Sequence, residues 1–242
     1  MTRFRAALLA AALLAVVAVV VALARPKPGN AWTPAAGRFA DDAAAWQTVH
    51  AGFAARSKQG GVEVVFLGDS YTHGWPADLW DAHFAPLGAV RYGIRGDGTA
   101  QVLWRVGHGE LDGVRPRVVV LMVGLNNALL VGDSAGDAVR GVAAILAAIR
   151  VGQPGAKVLL LGVLPAFDAG HPVRAWAAEF NARAANLADG TAVRFLDPGA
   201  DFLTAAGDRK PGLYASDRVH LAPPGYALLA ERLGPALADA LK

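Results

Sequence analysis

The sequence predicts an α/β domain whose parallel sheet is covered by helices on both faces. Three observations predict it: five short apolar runs, helical segments between them, and no apolar–polar alternation inside the runs. Strands buried on both faces read as continuous apolar stretches, whereas a half-exposed antiparallel sheet alternates. With 242 residues, 54% hydrophobic and 18% charged, the chain is long and apolar enough for one large core.

The first 24 residues stand apart. Two arginines precede an uninterrupted apolar run from Ala6 to Ala24, which as a helix is long enough to cross roughly 30 Å of hydrocarbon. Residues 1–24 are expected to be a signal peptide, with Ala22-Leu23-Ala24 as an A-x-A-like cleavage site, or an uncleaved membrane anchor that precedes the domain as an N-terminal hydrophobic helix. Either places the domain outside the cytoplasm, held to the membrane by one helix or secreted or periplasmic after cleavage. Residues 25–40, rich in Pro, Gly and Ala and without period, read as a tether able to span up to about 50 Å.

From residue 41 to 242 a single domain is expected. Asp41 and Asp42 open a helix through Ser57, with acids placed against the positive end of the helix dipole. Strands follow at Val62–Leu67, Val90–Tyr92, Val118–Val123, Val158–Leu164 and Val193–Leu196, each bounded by Gly, Pro or Asp. Helices are expected over Gly98–Val106, Ala135–Val151, Pro172–Leu187 and Pro224–Leu241, the last started by Pro223 and Pro224.

Charge and cysteine content exclude several functions. The net charge is +3, but residues 1–40 hold five of the 23 Lys/Arg and none of the 20 Asp/Glu, so the remainder carries 18 basic against 20 acidic residues. No nucleic-acid footprint is left on the domain, because phosphate binding needs a concentrated basic face. With no cysteine there is no disulfide, no thiol nucleophile and no Cys-ligated metal. His50, His83, His108 and His171 have no acidic or histidine partner at ligand spacing, so neither a metal nor any cofactor is expected.

Ligands of a parallel sheet gather at the carboxyl ends of its strands. The first strand runs into Gly68-Asp69-Ser70, the second into Gly93-Ile94-Arg95-Gly96-Asp97-Gly98, and the third into Gly124-Leu125-Asn126-Asn127. Near the C-terminus Asp217 stands three residues before His220. A serine hydroxyl becomes a nucleophile when a base accepts its proton and a carboxylate fixes that base's tautomer. Asp217 and His220 can serve Ser70 in this way, while the N–H groups of Ser70 and Gly96 and the amide of Asn126 converge on an oxyanion.

Each element alone has a bland reading. Gly-Asp-Ser after a strand is commonly a helix cap, Asn126 a turn residue, and Asp217–His220 a surface ion pair. Gly93 to Gly98 does not fit the dinucleotide fingerprint G-x-G-x-x-G. Their joint occurrence at successive strand ends is what carries the reading. Asp69, Asp97 and Asn127 are expected to support the loops, and Arg95 and His73 to line the substrate path. Trp75, Trp80, Trp104 and Trp176 are core or pocket-lining aromatics.

These blocks resemble those of the SGNH, or GDSL-type, hydrolases, whose motifs are matched by Ser70 in GDS, Gly96 in GIRGDGT, Asn126 in GLNN and Asp217 with His220 in DRVHL. The likeness is greatest to the platelet-activating-factor acetylhydrolase catalytic subunits and their bacterial relatives, and spans residues 46–240. It implies a flavodoxin-like three-layer α/β/α sandwich on a five-stranded parallel sheet, and cofactor-free hydrolysis of a small acyl ester through an acyl-enzyme. The substrates implied are acetylated glycans, short-chain esters or lysophospholipids. Arg95 and Leu125 depart from the glycine and threonine usual at these positions. The alternatives are an O-acyltransferase on cell-envelope glycans and a catalytically silent glycan-binding module. Oligomeric state is left open.

Overall fold

Five parallel strands, ordered β2-β1-β3-β4-β5, carry the domain: β1 Val64–Gly68, β2 Ala89–Gly93, β3 Val118–Met122, β4 Lys157–Leu161 and β5 Val193–Leu196. The computed structural model describes residues 30–37 and 43–242. The leader expected at residues 1–24 lies outside the described residues, as do Asp41 and Asp42. Among the described residues no helix is long and apolar enough to cross a membrane.

The central strands β1 and β3 are buried at every residue, as expected of continuous apolar runs covered on both faces. The helices are α1 Ala43–Ser57, α2 Ser70–His73, α3 Ala77–His83, α4 Thr99–Gly107, α5 Ala135–Gly152, α6 Pro172–Ala184 and α7 Pro223–Ala240. Right-handed crossovers put α4, α5 and α6 on one face, where α4 packs on α5 and α5 on α6, while α3 and α7 pack together on the other. The result is the expected flavodoxin-like three-layer sandwich.

Local chemistry sets the element ends. Ser134 caps α5 by accepting from the Asp137 N–H at 3.1 Å, and Asp137 adds negative charge to the first turn. At α4 the Gln101 side chain accepts from the Gly98 N–H at 3.0 Å. Strand register then places the site. Gly68 at the end of β1 pairs with Gly93 of β2 on one side and Met122 of β3 on the other, so the three following loops begin at one level.

Several expectations shift. The helix begins by Ala43 among the described residues, and the expected Pro172–Leu187 helix ends at Ala184 before a 3-10 turn over Ala185–Leu187. β4 stops at Leu161 although Val163 and Leu164 are buried. There the Asn181 side chain replaces the ladder, accepting from Val163 N at 2.8 Å and donating to Val163 O at 3.0 Å. Among the additional elements are the one-turn α2, α3, whose Trp80 packs with Phe66, Trp75 and Phe84 in an aromatic cluster, and a π-helical turn over Asn127–Val131.

Residues 30–37 fall within the stretch read as a tether, yet they lie on the domain. Ala31 is fully buried, its carbonyl accepts from Thr99 Oγ1 at 2.8 Å, and the Ala35 N–H donates to Ala100 O at 3.1 Å. The Arg140 guanidinium sits 3.4 Å from the Trp32 ring centre. Bonds of this kind have no sequence period, so a Pro- and Gly-rich segment that makes them reads like a free linker.

Candidate active site

The turn after β1 presents Ser70 at the first position of the one-turn helix α2. Asp69 caps that turn, accepting from the Tyr71 N–H at 3.0 Å, so the aspartate faces the backbone rather than the cleft. The turn packs so tightly on β2 that a Cβ at Gly93 would lie 2.3 Å from His73 N and 2.6 Å from Asp69 O. Only glycine permits that approach.

The Asp217–His220 segment reaches over this turn. His220 Nε2 is 2.9 Å from Ser70 Oγ, and His220 Nδ1 is 2.6 Å from Asp217 Oδ2. Asp217 Oδ1 also accepts from the Val219 and His220 N–H groups, each at 2.9 Å. Partial burial opposes ionisation of Asp217, but the His220 side chain and the two amides outweigh it and hold the carboxyl below its usual range. The segment is pinned elsewhere too. Tyr71 Oη donates to Val219 O, and the Phe167 N–H donates at 2.9 Å to the carbonyl of Arg218, which adopts a left-handed φ of 63°.

Opposite the histidine lie the loops after β2 and β3. Gly96 has φ of +80°, a left-handed conformation that suits glycine. Neither the Gly96 nor the Ser70 N–H has a partner among the described residues. Asn126 Nδ2 donates to Asp97 O at 2.9 Å, which orients the amide and leaves its second N–H uncommitted. The three expected oxyanion donors are thus unpaired or half-paired among the described residues.

The remaining expected residues divide. Asn127 is buried and faces inward: it accepts from Thr99 N at 3.0 Å and donates to Thr99 Oγ1 at 3.0 Å and Asp133 Oδ2 at 2.8 Å, joining the loop after β3 to the start of α4. Asp97 accepts from Trp46 Nε1 at 2.7 Å. His73 is directed away from Ser70, with Nδ1 3.3 Å from Gly93 O; burial and the neighbouring Arg95 lower its pKa. His73 and the exposed Arg95 line a cavity of about 180 Å³ beside Gly96, walled by Trp46 and Ile94. Neither Ser70 nor His220 lines that cavity. Trp75 and Trp80 are core residues, Trp104 stacks on His108, and Trp176 donates to Asp133 O at 2.9 Å.

Sequence reasoning missed a buried cluster beneath the site: Arg105, Glu110 and His50 join Asp97 and Asp69 there. Burial pushes the Asp69 carboxyl up to about 7, against the Tyr71 N–H, and pushes Asp97 up to about 6, against Arg105. No spacing rule links residues of α1, α4 and the loops after β1, β2 and α4. The one available signal was an arginine inside the apolar stretch Val102–Val106 of a helix. Among the described residues no group of three or more His, Asp or Glu side chains is placed to hold a metal ion.

A flavodoxin-like sheet with a serine, histidine and aspartate in line at its carboxyl edge defines the class: an α/β enzyme that hydrolyses carboxylic esters. The comparisons then make the assignment, and the chain belongs to the GDSL-like lipase/acylhydrolase family, whose model matches residues 66–228. The human platelet-activating factor acetylhydrolase IB subunit alpha1 is 38% identical over 192 residues, covering 78% of this chain and 80% of that protein. The chicken alpha2 subunit is 36% identical over 164 residues, covering 67% and 70%. Among solved structures, a GDSL-like lipase from Bacteroides thetaiotaomicron superposes with a TM-score of 0.64 at 23% identity, covering 81% of this chain and 97% of that one. A carbohydrate esterase family 3 protein from Talaromyces cellulolyticus superposes with a TM-score of 0.59 at 18% identity, covering 74% and 98%. At these identities the two structures speak to fold alone.

Proposed function

We propose that this acylhydrolase is an extracytoplasmic serine esterase that removes small acyl groups through a covalent acyl-enzyme on Ser70. The observation that carries the reading is the unbroken Asp217–His220–Ser70 relay, with contacts of 2.6 and 2.9 Å. Ser70 Oγ attacks the ester carbonyl and passes its proton to His220 Nε2, while Asp217 holds Nδ1 protonated and stabilises the imidazolium. The carbonyl oxygen becomes an oxyanion received by the N–H groups of Ser70 and Gly96 and by Asn126 Nδ2. Collapse expels the alcohol, which takes the proton back from His220. A water then repeats the sequence in reverse, its proton going to His220 and returning to Ser70 as the carboxylic acid leaves.

The acetylhydrolase names of the curated relatives favour an acetyl or short acyl group. The apolar run Ala6–Ala24 favours export, with the domain anchored or released. Hydrolysis of p-nitrophenyl esters from acetyl to long acyl chains tests the activity. Turnover that is highest on acetyl and butyryl esters supports the reading, whereas a preference for long chains overturns the small-acyl assignment. Fractionation of expressing cells tests the location, since recovery of the full-length chain in the cytosol contradicts export.

A further inference from the structure

The two proposed oxyanion donors outside the nucleophile turn both depend on Asp97. Gly96 precedes Asp97 in the chain, and the Asp97 carbonyl accepts from Asn126 Nδ2 at 2.9 Å. The Asp97 side chain is itself gripped from beneath: Oδ1 accepts from Trp46 Nε1 at 2.7 Å, and Oδ2 lies 2.9 Å from Arg105 Nε. That second contact is an ion pair off the line of a hydrogen bond, since neither atom has an aligned partner.

Arg105 is fully buried and touches three elements at once. Its Nη2 donates at 2.8 Å to the carbonyl of Gly68, two residues before Ser70. Its Nη1 donates at 3.2 Å to Tyr92 O, near the end of β2, and also to Glu110 Oε1. The other Glu110 oxygen lies 3.3 Å from His50 Nδ1. The charged and titratable groups around the guanidinium are therefore Asp97, Glu110 and Asp69, with His50 behind Glu110.

A buried ionic cluster is a poor way to gain stability, because apolar side chains of the same volume often hold a fold as well. What the apolar cluster lacks is direction. A planar guanidinium offers fixed donor vectors, and here one of them ends on the nucleophile strand while another edge meets the oxyanion loop. We propose that Arg105, held between Asp97 and Glu110, is the positioning residue that sets the distance and direction of the oxyanion hole relative to Ser70. It rests on the oxyanion-hole reading above, and Arg105 acts through Asp97 without touching substrate.

The test is a double-mutant cycle on short-chain ester hydrolysis, combining Arg105→Lys with Asn126→Ala. Lysine keeps the charge, but one ammonium cannot reach Gly68 O, Asp97 and Glu110 together. Arg105→Lys is expected to lower kcat about 10- to 100-fold with KM little changed, the cost of displacing a catalytic geometry by roughly an ångström. In the Asn126→Ala background the same substitution is expected to cost much less, because a donor it positions has gone. Equal losses in both backgrounds overturn the proposal and leave Arg105 a general structural residue. If Arg105→Lys does not fold, Asp97→Asn replaces it, since it keeps the volume and the acceptor for Trp46. Coupled loss then supports the proposal and additive loss overturns it. An Asn126→Ala protein with wild-type kcat sinks the oxyanion-hole reading and this inference together, whereas a slow Asn126→Ala with additive Arg105→Lys sinks this inference alone.

Discussion

Replacing Asp217 by asparagine should harm catalysis more than replacing it by alanine, although asparagine is the closer mimic. In the folded protein Asp217 Oδ2 meets His220 Nδ1 at 2.6 Å, and Oδ1 accepts from two backbone N–H groups. Alanine removes the carboxylate's attraction for the imidazolium. At about 4 Å between charges this is worth roughly 1 kcal/mol in water and 4 kcal/mol at an effective dielectric near 20, or about 5- to 10³-fold in rate. The side chains of His220 and Asp217 are 36% and 49% exposed, which favours the lower half of that range and lets water occupy the vacated place. Asparagine loses the same attraction and adds a second fault. Its Oδ1 stays with the two N–H groups, so its NH₂ faces Nδ1 and holds the imidazole in the tautomer that carries a proton on Nε2. That tautomer cannot accept from Ser70, and the loss rises to about 10⁴-fold. Stability should order the other way: Asp217→Ala loses three partly exposed hydrogen bonds, about 1–3 kcal/mol, while Asp217→Asn stays near wild type. Initial rates of p-nitrophenyl acetate hydrolysis and thermal melts of the three proteins give both orders. An Asp217→Asn enzyme as active as Asp217→Ala, or faster, refutes the proposed proton route.

Further outcomes follow from the same geometry. Asn126→Ala should lower kcat by roughly 10²–10³-fold with KM little changed, as loss of one oxyanion donor does; steady-state kinetics separate this from a ground-state binding role, which would raise KM alone. Because the folded Asp69 carboxyl sits at about 7 against 3.8 for the unfolded group, the native state holds an extra proton between those values. Its contribution is therefore stabilising at low pH and is lost as pH rises through 7, so Asp69→Asn should gain stability relative to wild type between pH 5 and 8 in denaturant titrations, and a constant difference would contradict it. Trp80→Ala, which empties the centre of the aromatic cluster with Phe66, Trp75 and Phe84, should cost about 3–5 kcal/mol in the same titrations.

The parts of the site visible in the sequence are the ones encoded locally. Gly68-Asp69-Ser70 ends an apolar run, and Asp217 and His220 stand three apart, so the fold needed only to bring two short segments together. Gly96 and Asn126 could be named because a parallel sheet aligns the ends of β1, β2 and β3. The support beneath them was not legible. Arg105 lies among Val102, Leu103 and Val106 on α4, where a sequence reading expects its charged end in solvent, and only tertiary packing brings Glu110 and Asp97 to it. The segment 30–37 was hidden for a related reason: its bonds to Thr99 and Ala100 run through backbone groups that every residue possesses. The turn at Asn127–Val131 follows from Asn127 facing inward to Thr99 and Asp133, a choice that two adjacent asparagines do not announce.

Trapping the acyl-enzyme tests the role of Ser70 directly. The protein is mixed with p-nitrophenyl acetate, quenched in acid within the first turnovers, digested and weighed by mass spectrometry, beside a Ser70→Ala control that should fold normally and lack turnover. An acyl-enzyme on Ser70 leaves one acetyl group on the peptide containing that serine and none in the control. Wild-type turnover in Ser70→Ala, or acetylation confined to another residue, would contradict that role.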